Sequence, residues 1–87
     1  MISRNNFTIR DNGIMQFPVG QYLVSIGIGP SHYGNQEDGT VEIAVFDGED
    51  RFVTRGVFGN VFGEKIDDDV AVINAEEFRR ILEYLSS

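Results

Sequence analysis

The sequence contains no cysteine. That one absence excludes a disulfide framework, a cysteine-ligated zinc site and a thiol nucleophile. Extracellular domains this short commonly depend on disulfide staples, so a reducing, cytoplasmic setting is expected. Lysine is nearly missing as well: Lys65 stands beside six arginines scattered along the chain, and the formal net charge is −7. Nucleic acids and anionic membranes are bound through clustered Lys and Arg, so neither is an expected direct ligand. No apolar run approaches the ~20 residues of a membrane-spanning helix. Residues 1–20 alternate after Arg4 and Arg10, unlike the apolar stretch of a secretory leader, so none is expected there. With 87 residues there is room for one domain, 1–87, and not for separate cofactor and substrate domains.

What is present is a series of short alternating segments. Phe7–Arg10 alternates as a strand does, and Asp11, Asn12 and Gly13 supply a hairpin turn. Ile14–Phe17 resumes the pattern until Pro18, which is expected to stop it. In Gln21–Ile28, Tyr22, Val24, Ile26 and Ile28 share one face at period two; in Thr40–Phe46, Val41, Ile43 and Val45 do the same. Gly29–Gly39 between them is aperiodic and rich in turn formers, so it reads as a loop. After a polar turn at Asp47–Asp50, Arg51–Arg55 reads as a short returning strand. Val57–Gly63 spells Val-Phe-Gly twice around Asn60, Glu64–Asp69 is a charged loop, and Val70–Ile73 reads as an edge strand.

The C-terminus carries helix signals. Asn74 can cap and Glu77 can complete a capping box. Phe78, Ile81, Leu82 and Leu85 recur at i, i+3, i+4 and i+7 as one apolar stripe. Glu76 with Arg80 and Arg79 with Glu83 are spaced to pair on the opposite face. The expected fold is therefore α+β: an antiparallel sheet of four to five strands, covered on one face by a single C-terminal helix.

Chemistry-bearing motifs are sparse. His32 is the sole histidine, and a serine next to it in sequence does not make a nucleophile–base pair. His32 and Tyr33, in an aperiodic loop, read as contact residues rather than catalysts. Gly27, Gly29 and Gly34 follow a strand but precede neither a helix nor a Gly-Lys-Ser/Thr run, so they do not form a phosphate-binding loop. The acids at Asp47–Asp50 and Glu64–Asp69 lack the alternate spacing and central glycine of a calcium loop. No catalytic residue, metal ligand or cofactor is expected. From Gly34 to Glu77, twelve acids face three bases, which favours a partner protein with a basic surface. The expected contact residues are Glu64, Asp67, Asp68 and Asp69, with Glu49 and Asp50 as a second patch. Phe58 and Phe62 either project as an apolar knob beside these acids or fold inward to complete the core.

In size, acidity (Glu37, Asp38, Asp47, Glu49, Asp50, Glu64, Asp67, Asp68, Asp69), lack of cysteine and lack of catalytic motifs, the chain resembles small phage-encoded inhibitors such as anti-CRISPR and anti-restriction proteins. The resemblance is one of general character over the whole chain and transfers no functional residue. It implies a non-enzymatic, stoichiometric inhibitor that blocks a basic or nucleic-acid-binding surface, or an assembly step, of a host defence complex; the chain itself is expected to be a monomer or homodimer. Two other readings stand beside it: a structural or accessory subunit pairing through edge strands, and a small ligand-sensing module built on the Gly29–Gly39 loop.

Overall fold

Alternation in the two central strands places Val24, Ile26, Ile43 and Val45 on one side of the pleated backbone. The computed structural model, which describes residues 7–29 and 32–87, sets Val24 opposite Val45 and Ile26 opposite Ile43. The elements are β1 (Thr8–Ile9), β2 (Ile14–Val19), β3 (Tyr22–Gly27), β4 (Val41–Phe46), α1 (Thr54–Phe62), β5 (Ala71–Ile73) and α2 (Ala75–Ser86). The sheet runs in the order β1-β2-β3-β4-β5, and every neighbouring pair is antiparallel. The α+β class and the C-terminal helix are as the sequence leads one to expect. Residues 1–6, with Pro30 and Ser31 of the Gly29–Gly39 loop, lie outside the described residues.

The strand expectation at Pro18 is corrected. β2 runs through Pro18 to Val19, with Pro18 opposite Leu23. Val19 and Tyr22 close a two-residue hairpin, and Gly20 supplies the positive φ (59°) that such turns favour at their first position. Pro18–Leu23 is then a non-hydrogen-bonded pair. The missing proline donor points outward, past the part of β2 that β1 pairs with.

A larger correction falls on Arg51–Arg55 and Val57–Gly63. Only Phe52 makes a bridge, to Phe46, and a helix follows at once. Thr54, Val57, Phe58 and Val61 recur at i, i+3, i+4 and i+7, so this segment carries a core-facing stripe of its own. Gly63 ends it in the left-handed region: its N–H donates to the Gly59 carbonyl, and the Glu64 N–H donates to that of Phe58. That is the glycine-terminated helix end.

The core lies between the sheet and the two helices. Val24, Ile26, Ile43, Val45 and Ile73 of the sheet meet Val57 and Phe58 of α1 and Ile81 and Leu85 of α2. Phe78 and Leu82 of the α2 stripe are half-buried at its margin. The helices are also joined at their surfaces. The Arg80 guanidinium lies 4.7 Å from the centre of the Phe62 ring and donates to the Val61 carbonyl at 3.0 Å. Asn60 donates to the Tyr84 hydroxyl at 2.8 Å. Asn74 and Glu77 form the expected capping box. The expected Glu76–Arg80 pair is replaced: Arg79 pairs with both Glu76 and Glu83, while Arg80 serves α1.

Candidate functional site

The loop after α1 returns along the helix that precedes it. Arg55, in the first turn of α1, meets Asp69 at 3.3 Å and ties the end of the loop back to the start of the helix. Between them runs a groove of about 540 Å³, lined by Arg55, Gly56, Gly59 and Gly63 on one side and Glu64, Lys65, Ile66 and Asp67 on the other. A methyl group built on Gly56, Gly59 or Gly63 would meet nothing within 4 Å. At these three positions the helical wall of the groove is therefore bare backbone, open to solvent. Glu64 and Asp67 line it with the bases Arg55 and Lys65, Arg55 is already engaged by Asp69, and Asp68 follows Asp67 in the same loop. Among the described residues, no basic side chain lies within ion-pair distance of Glu64, Asp67 or Asp68.

The second patch is more self-contained. The Asp47 carboxylate accepts the N–H groups of Glu49 and Arg51 and the Arg51 side chain. The backbone N–H groups of Arg51 and Glu49 hold its carboxyl below the usual range. Arg51 also meets Glu49 at 2.6 Å, so of the two expected contact acids there Asp50, at φ 63°, is the one without an ion pair among the described residues.

Phe58 and Phe62 face inward. Phe58 is 2% exposed, and Phe62 packs beside it with ring centres 5.2 Å apart, under Arg80. Of the two arrangements expected, the inward one is found: α1 turns both rings toward the core, leaving its glycines outside. The signal that locates the helix, and with it the groove, is the Thr54–Val57–Phe58–Val61 spacing ending at Gly63.

His32, expected as a contact residue, is instead engaged within the fold. Its side chain is 8% exposed. The ring lies over Gly27, where an added Cβ would come within 2.5 Å of Nδ1 and force the ring to shift. Nδ1 lies 3.1 Å from Glu42 Oε1, and Nε2 lies 2.8 Å from the Asn12 carbonyl oxygen. Both ring nitrogens face acceptors, and only the imidazolium carries two donors. The Asn12 carbonyl first, then Glu42, raise the His32 pKa above its ordinary value, against a smaller opposing effect of burial. The other Glu42 oxygen accepts the Tyr33 N–H at 3.0 Å, while the Tyr33 ring remains 82% exposed. His32 thus pins the loop to the sheet and leaves Tyr33 as its free aromatic.

A pH dependence follows from the sign of that shift. Stabilisation by a group whose folded pKa is raised is complete below its unfolded pKa, about 6.5 for His, and is lost as pH rises through the folded value. Stability should therefore fall from pH 6 toward pH 9, with the loss confined to the neutral-to-alkaline side. In His32→Gln the neutral-to-alkaline fall should vanish. Urea titrations across this range, with the His32 ring followed by NMR, check it. A wild-type curve identical to that of His32→Gln would refute the pinned imidazolium.

Among the described residues no cluster of three or more His, Asp or Glu is arranged to hold a metal ion, and no helix is long and apolar enough to cross a membrane. Compared with known proteins, the chain matches no protein family, no curated sequence and no solved structure.

Proposed function

We propose that the protein acts by stoichiometric binding, laying the acidic groove along α1 against a basic surface of a partner protein and so blocking it. In line with the resemblance to phage-encoded inhibitors, the partner is a host defence complex whose Arg and Lys side chains otherwise meet nucleic acid. The observation that carries this reading is the groove itself: backbone exposed at Gly56, Gly59 and Gly63, beside Glu64 and Asp67, which no basic side chain meets within ion-pair distance among the described residues. Guanidinium groups that bind phosphate bind carboxylates through the same donors. Bare backbone at three positions of the wall lets a partner segment approach closely there.

Two sets of substitutions test it once a partner has been recovered from host lysate. Asp67→Asn, Asp68→Asn and Asp69→Asn combined should leave the fold intact, because exposed ion pairs contribute only about 0–1 kcal/mol. They should weaken binding severalfold or more and flatten its fall with salt. Gly56→Ala and Gly59→Ala should each raise stability by up to about 1 kcal/mol, since alanine is the better helix former and the added methyl meets nothing. The same changes should weaken binding. Variants that bind as tightly as wild type at two ionic strengths would leave the groove a solvated surface. Turnover of a substrate at substoichiometric protein would overturn the binding mechanism altogether.

A further inference from the structure

The α2 stripe begins at Phe78, and the turn before it (Ala75, Glu76, Glu77) is small or polar. At that end the sheet's apolar face is only partly covered: Met15 and Val41 are half-buried, beside Ile26 and Ile73 at 4% and 1% exposure. A slot of about 210 Å³ remains there, with Met15, Ile26, Val41 and Ile73 as its floor and Ala75 and Phe78 as its wall. It shares no lining residue with the groove along α1. Pockets for whole small molecules run from about 300 Å³ upward, whereas an apolar cavity of about 150 Å³ takes up benzene. The slot therefore matches one aromatic or branched aliphatic side chain rather than a cofactor.

The charges around the slot select what carries that side chain. Gly39, on its edge, follows Glu37 and Asp38, both exposed and without a basic side chain in ion-pair reach among the described residues. On the other side, Ala75 is followed by Glu76 and Glu77; Arg79 sits against Glu76, while Glu77 holds the helix cap. A second copy of this chain would bring a further −7 to an already acidic rim. We propose that the slot receives a single apolar side chain from a basic peptide segment of a partner protein, with flanking Lys or Arg meeting Glu37 and Asp38. Apolar anchors set in a polar rim are the usual source of binding energy at protein interfaces.

The test is a methyl NMR titration of the full chain with three synthetic hexapeptides: KRFLKR, KRAAKR and EDFLED. KRFLKR should shift the methyls of Met15, Ile26, Val41 and Ile73, and the other two should bind about tenfold more weakly or worse. Ala75→Phe plugs the slot from an exposed helix position and should abolish these shifts. Glu37→Lys with Asp38→Lys alters only exposed loop side chains and should reverse the preference between KRFLKR and EDFLED. The Asp67, Asp68 and Asp69 substitutions should leave this titration unchanged, which separates its outcome from that of the α1 groove. Equal binding of KRFLKR with either control, no shift at millimolar peptide, or slot shifts that track protein concentration alone would overturn the proposal. The last of these would assign the slot to a second copy.

Discussion

Ile81→Ala is expected to lower stability by about 2–5 kcal/mol, the range found for truncating a fully buried branched side chain. Ile81 is 0% exposed and sits midway along the α2 stripe, with Leu85 one turn later and the sheet residues Val24, Ile26 and Val45 in the same core. The loss joins two effects: apolar surface no longer removed from water, and a cavity that two helices and a sheet cannot all close upon. Domains of this kind have only about 5–15 kcal/mol in hand, so the variant should unfold at markedly lower urea with an unchanged slope. Leu82→Ala is expected to cost less. Leu82 belongs to the same stripe, but it is half-buried at the core margin and its neighbours can relax toward solvent. A Leu82 variant weaker than the Ile81 variant would mean that α2 is rotated about its axis from the orientation described.

Legibility in the sequence followed how local each structural cause is. Asn74 and Glu77 bond to each other's backbone three residues apart, so the start of α2 is written in one short segment. Val24, Ile26, Ile43 and Val45 declare a buried face because period two needs no knowledge of the partner strand. Helix α1 was hidden because its own residues are poor helix formers: Gly56 and Gly59 lie inside it, Val57 and Val61 are β-branched, and Val53 offers no side-chain cap. Its helical state is imposed by packing against the sheet and α2, a tertiary cause. The groove was hidden with it. The acids of Glu64–Asp69 were visible as charge, but the helix beside them, with its glycines turned outward, was not. His32 escaped for a related reason, since its partners Asn12 and Glu42 come from two other segments and the opening for its ring is a glycine on a third.

Thr54→Val should remove the fastening that sets α1 against the sheet. β5 pairs with β4 only as far as Ile43, so beyond that point the edge of β4 that faces away from β3 meets only the single Phe46–Phe52 bridge. The backbone groups of Val45, two residues on, would be left buried without partners, and each such group costs about 1–3 kcal/mol. Instead, the Val45 N–H donates to Thr54 Oγ1 at 2.9 Å, and its carbonyl accepts the Val53 N–H at 2.8 Å. Thr54 is 0% exposed, so water cannot take its place. Valine keeps the shape and branching of threonine but offers no acceptor. The expected destabilisation is therefore about 1–3 kcal/mol from the orphaned Val45 N–H alone, with packing conserved. Thr54→Ser keeps the hydroxyl and loses a methyl; it should retain most of the protection of the Val45 amide. Hydrogen exchange at Val45, read beside urea unfolding of the two variants, separates the hydroxyl from the methyl. If the valine variant matches wild type in both, the hydroxyl does not hold α1 in place. If it exchanges faster at Val45 and loses stability, binding through the α1 groove should weaken with it, because the same helix forms the groove's wall.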